Sequence, residues 1–118
     1  MSFIYHADNS EFFRKLMKSF LTEAGHQFEG SARGEDAVSA VTSGEADCVI
    51  TGLQLADMTG EELVKRLIGS KVEAPVIVVT SNNDQTQKDR LKALGVKAVI
   101  QKSGDWKGDL SIQLANFA

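Results

Sequence analysis

Apolar and polar residues follow one another along this chain in blocks that read as five strands alternating with five helices. Phe3 to Ala7 is apolar and aromatic, and Asp8-Asn9-Ser10 behind it supplies side-chain oxygens suited to starting a helix. Phe13, Leu16, Met17, Phe20, Leu21 and Ala24 then recur at the three-and-four spacing of one helical face, and Gly25 follows as the residue past the helix end. His26 to Ala32 reads as a second strand. Gly34-Glu35-Asp36 with Ala37, Val38, Ala40 and Val41 reads as a short helix closed by Gly44. Cys48-Val49-Ile50 is a continuous apolar run of the kind found where both faces of a parallel strand are buried. After a loop from Thr51 to Met58, Thr59 and Glu62 form a capping box for a helix carrying Leu63, Val64, Leu67 and Ile68. Pro75 introduces Val76 to Thr80, the strongest strand in the chain. Asp84 and Gln87 then cap a helix with Leu91, Ala93 and Leu94, closed by Gly95 ahead of a strand from Val96 to Gln101. Trp106, Leu110, Leu114 and Phe117 line one face of a last helix, where Gly108 costs about 1 kcal/mol relative to Ala and predicts a loose first turn.

Each connection is long enough for a crossover between parallel strands, so the pattern predicts an α/β fold with a doubly wound central sheet covered on both faces. Ligand chemistry in such sheets gathers beyond the carboxyl ends of the strands. The site is therefore expected among Asp8-Asn9, Thr51-Gly52, Thr80-Ser81 and Lys102-Ser103.

Composition narrows the class. A length of 118 residues fits one domain, 1–118, and the 42% apolar and 25% charged shares are those of a globular chain. The net charge of −3 argues against a chain-wide basic surface for nucleic acid. One cysteine, Cys48, forms no intrachain disulfide and reads as a small core residue, and no run of about 20 apolar residues spans a bilayer. A cytoplasmic location is expected, with neither nucleic acid nor membrane as a partner. His6 and His26 fall on separate candidate strands and read as structural.

The strand ends offer Asp8, Asn9, Thr80 and Lys102: one carboxylate, one amide, one hydroxyl and one ammonium, without a nucleophile set. The pattern resembles the receiver domain of two-component response regulators over essentially the whole chain, on Asp8-Asn9-Ser10, Val78-Val79-Thr80-Ser81 and Ile100-Gln101-Lys102-Ser103. The resemblance implies a flavodoxin-like (βα)5 domain of three layers with strand order 2-1-3-4-5. It also implies two acids after the first strand and a phosphoacceptor aspartate after the third that together hold Mg2+, with Thr80, Ser81 and Lys102 beside the phosphoryl oxygens.

The sequence departs from that pattern at the position of the acceptor, which is Gly52, and at the second acid, which is Asn9. Val99 stands where the family's switch aromatic is expected, Ala56 and Thr59 replace loop residues of the family, and Ser103 replaces the proline that often follows the lysine. Asp8 alone is a weak Mg2+ ligand, so no cofactor is expected. Lys102 is expected either to pair with Asp8 or to hold an anion beside Thr80. The expectation is a non-enzymatic pseudo-receiver that signals without phosphorylation by contact with a histidine kinase, another regulator or an output domain, or with itself through helix four, strand five and helix five. Two alternatives stand beside it. One is a phosphoacceptor that uses Asp57 and dephosphorylates itself, although Asp57 reads as a solvated turn residue and Thr51 points away from position 52. The other is a flavodoxin-like nucleotide or flavin carrier, disfavoured because Asp8-Asn9-Ser10-Glu11 has no glycine-rich cradle.

Overall fold

The computed structural model describes residues 2–70 and 73–116. Five strands, β1 (Phe3–Ala7), β2 (Gln27–Ser31), β3 (Cys48–Thr51), β4 (Val76–Thr80) and β5 (Ala98–Gln101), pair in parallel in the order β2-β1-β3-β4-β5. Helices α1 (Glu11–Glu23), α2 (Gly34–Thr42), α3 (Gly60–Gly69), α4 (Gln85–Leu94) and α5 (Trp106–Ala115) connect and close the chain. The period-two alternation of the strands divides the core into two layers. Tyr5, Ala7, Val49, Val76 and Val78 pack with Ala37 and Val41 of α2, Leu63, Val64 and Leu67 of α3 and Leu91 of α4. On the opposite face Ile4, Cys48, Ile50, Ile77 and Val79 pack with Phe13, Met17 and Leu21 of α1 and Trp106 and Leu110 of α5. Cys48 is buried there, and desolvation pushes its thiol up to about 12.

Local chemistry sets the helix starts. Ser10, Thr59, Asp84 and Asp105 accept from the amides of Phe13, Glu62, Thr86 and Gly108. The amide that Asp84 caps is therefore that of Thr86, two residues on, and not that of Gln87. The C-terminal helix is not loose at its start: a Cβ at Gly108 would collide with the Asp105 carboxylate, so glycine admits the cap that fixes the first turn. Gly95 takes φ +113°, the left-handed conformation that ends α4.

Other expectations shift at element edges. Thr51 closes β3 instead of opening a loop, and β5 begins at Ala98, two residues later than the apolar run suggests. His26 precedes β2, where its Nδ1 accepts from the Ser2 amide at 3.2 Å. Leu16 of the predicted apolar face is 37% exposed, while Phe13, Met17 and Leu21 of that stripe are buried and Phe20 packs on the core part-buried. Phe117 lies outside the described residues. Among the described residues no helix is long and apolar enough to cross a membrane.

Candidate functional site

Parallel strands with helices between them leave all five strand ends on one edge, and there the loops enclose an open cleft of about 770 Å³. Asp8, Asn9, Ser10, Thr80, Ser81 and Lys102 share its walls. Asp8 is the first residue beyond β1 and is buried. Its Oδ1 accepts from the Ser10 amide at 2.9 Å, and its Oδ2 lies 2.9 Å from Lys102 Nζ. Lys102 is aimed by the end of β5: its amide donates to the Thr80 carbonyl at 2.8 Å. Its ammonium also stands 4.3 Å from the centre of the Phe13 ring, a cation–π contact.

Gly52 follows β3 and is buried against Asp8. A Cβ placed on it would stand 2.9 Å from Asp8 Oδ2 and 3.0 Å from Asp8 Cγ, so the Asp8 carboxylate fills the space a side chain at 52 would enter. Thr80 is buried, and its hydroxyl accepts from the Asn82 amide at 3.0 Å; Ser81 and Asn9 are exposed. Val99 does not line the cleft. It is partly buried against the α2–α3–α4 core layer.

Asp57 sits in an exposed bend, as its turn reading expects, but its carboxylate is engaged by the start of α2. Its side chain is only 16% exposed, and its two oxygens accept from the amides of Gly34 at 2.7 Å and Glu35 at 3.1 Å. Arg33, the N-cap residue of α2, offers no side-chain cap of its own, so an acid 23 residues beyond Gly34 supplies it. Partial desolvation works against the charge on Asp57, yet these amides and Arg33 hold the carboxyl below its ordinary value.

Three residues at the site escape a reading of the strand ends. His6 lies two positions before Asp8, so strand alternation puts both on one face. Its ring is wholly buried, Nε2 is 3.9 Å from Asp8 Oδ2, and neither ring nitrogen has a hydrogen-bond partner among the described residues. Burial lowers its pKa to about 4, which leaves the imidazole neutral near pH 7. Arg14, one turn into α1, donates from Nη1 to the Asp8 carbonyl at 2.7 Å. Phe13 contributes the ring beneath Lys102 and packs on Trp106 at 5.0 Å between centroids.

The residues present do not suit the Mg2+ ion that the family resemblance implies. A magnesium site needs several anionic oxygens in near-octahedral array. Here Gly52 supplies none, Asn9 is neutral, the Asp8 carboxylate is already against an ammonium, and Glu61 on the cleft wall is paired with Arg90. No three His, Cys, Asp or Glu side chains gather as a ligand set among the described residues.

Comparison with known proteins agrees with the geometry. The family model of the response regulator receiver domain matches residues 4–108. A protein-glutamate methylesterase/protein-glutamine glutaminase of Haloarcula marismortui is 30% identical over 114 residues, 94% of this chain and 30% of that protein. The transcriptional regulatory protein TcrA of Mycobacterium tuberculosis is 35% identical over 79 residues, 67% of this chain and 30% of that one. The chain thus spans about 30% of the length of these relatives. In fold it is similar to the Vibrio cholerae chemotaxis protein CheY4, with a TM-score of 0.84 at 24% identity, covering 100% of this chain and 99% of that one.

Proposed function

This chain belongs to the response regulator receiver domain family, and from that premise we propose that it is a receiver of a two-component pathway that signals without being phosphorylated. The observation that carries the reading is position 52. The family's acceptor carboxylate is replaced by a glycine whose missing side chain would collide with Asp8. With no acceptor and no acid pair, the cleft has nothing to take a phosphoryl group and nothing to hold its metal. Val99 adds a second loss, because an aliphatic side chain cannot perform the rotation of a switch aromatic. A fixed receiver still presents complementary surface, and binding requires surface rather than chemistry. Its partner in this reading is a protein: a histidine kinase, another regulator, an output domain, or a second copy through α4, β5 and α5. The whole domain, 1–118, acts as the binding module and catalyses nothing.

Asp57 supports the reading rather than the alternative. Both its oxygens are committed to the start of α2, and it is absent from the walls of the cleft that holds Thr80 and Lys102. The flavin alternative finds no cradle: the turn after β1 carries the Asp8 carboxylate where a phosphate would need amide donors. Incubation with acetyl phosphate and Mg2+ followed by intact-mass measurement leaves the mass unchanged. Incorporation of one phosphoryl group per chain would overturn the proposal, and its loss in Asp57→Asn would assign the acceptor to that residue.

A further inference from the structure

We infer that Lys102 is the resident cation of this cleft, an ammonium built into the chain that takes the role a divalent metal plays in the family and excludes that metal. The inference deepens the reading of a phosphorylation-independent receiver and rests on it. Four observations converge. Lys102 Nζ is 2.9 Å from the buried Asp8 Oδ2, the distance of a direct ion pair. Its other side is against the Phe13 ring, whose negative face favours a cation there. The backbone hydrogen bond from Lys102 to Thr80 fixes the point from which the side chain reaches across. Lastly, Arg14 brings a second positive charge to the same residue, donating from Nη1 to the Asp8 carbonyl at 2.7 Å. The other acid on the cleft wall, Glu61, is paired with Arg90. A divalent ion at Asp8 would therefore meet one shared carboxylate and two cationic side chains. It would have to expel Lys102 from both the carboxylate and the ring.

The position of Trp106 gives the test an internal reporter, because its indole packs on Phe13, which in turn carries Lys102. Mg2+ is titrated into the full chain at constant ionic strength and followed by Trp106 fluorescence, with water-proton relaxation in the presence of Mn2+ as a second readout. The native chain and Lys102→Arg give no saturable response. Lys102→Met, which keeps the aliphatic stem and removes the charge, binds Mg2+ at least about tenfold more tightly than the native chain. A saturable response of the native chain that Asp8→Asn abolishes overturns the inference, as does a Lys102→Met or Lys102→Arg chain that breaks this order. A saturable native response overturns the inference even where a variant is poorly folded. Mg2+ binding without phosphoryl incorporation defeats this inference alone, whereas incorporation defeats the proposed function.

Discussion

At position 52 the absence of one side chain rearranges the charges of its neighbours. Glycine lets the Asp8 carboxylate lie over the end of β3, and there it meets Lys102. Three substitutions test this arrangement by urea unfolding. Gly52→Asp, which restores the family's acid, does not restore a working site: the new side chain enters space held by Asp8, and two carboxylates must share one ammonium. The expected cost is of order 1–3 kcal/mol of stability, as for other overpacked positions. Lys102→Met and Asp8→Asn are expected to differ although they break the same pair. The first strands a carboxylate whose side chain is 6% exposed, and costs about 2–3 kcal/mol; the second leaves an ammonium that is 24% exposed and can turn to water, and costs less. Equal losses would mean that the pair is solvated like a surface bridge. These residue types were legible in the sequence as a set, because strand ends in a parallel sheet converge. That Lys102 meets Asp8 was one of two readings left open, since the choice depends on where a side chain comes to rest above Gly52.

Among the elements, α2 shows how a helix is started from outside itself. Arg33 stands at its N-cap without a capping side chain, and Asp57 reaches from the β3–α3 loop to the first two amides of the helix. Asp57→Ala is expected to loosen the start of α2 selectively, seen as faster amide exchange at Gly34 and Glu35 while α5 retains its protection, whereas Asp57→Asn keeps part of the cap. Caps formed within a helix's own first turn were readable from spacing: Ser10, Thr59 and Asp84 all precede apolar periodicity by the expected interval. The cap on α2 was not, because its donor and acceptor are 23 residues apart in sequence and only the fold joins them. The late start of β5 has a similar origin. Val96 reads in sequence as the first apolar residue of the strand, but the register with β4 begins only at Ala98 opposite Ile77. Local signals thus located every element, and contacts between elements decided which residues each one uses.

For the molecule as a whole, both faces of the sheet are held by buried apolar side chains, and they differ in the titratable groups they carry. The α2–α3–α4 side carries interhelix ion pairs, Glu35 with Arg66 and Glu61 with Arg90, all at least partly exposed and weakly stabilising. The α1–α5 side is closed by aromatic packing of Phe13, Phe20 and Trp106, and beneath it lies His6. That imidazole faces Phe13 of α1, Phe28 of β2 and the Asp8 carboxylate, within the field of Lys102 and Arg14. Burial is the main reason its pKa falls from 6.5 to about 4; Lys102 and Arg14 push the same way, and Asp8 opposes them. Above pH 6.5 the imidazole is neutral in both the folded and the unfolded chain. Between 6.5 and about 4 the unfolded chain takes up the proton and the folded chain refuses it, so stability falls as the pH is lowered. The full loss across that window is roughly 3 kcal/mol, and His6 adds nothing further below it. Asp57 acts in a separate range: its carboxyl is held below 3.8, so the stability it contributes is present above that value and lost only in stronger acid. Urea unfolding at pH 7.5, 5.5 and 4.5 separates the two groups. The native chain loses stability progressively across these points and His6→Leu does not; a parallel loss in both would place the acid sensitivity outside the α1–α5 layer.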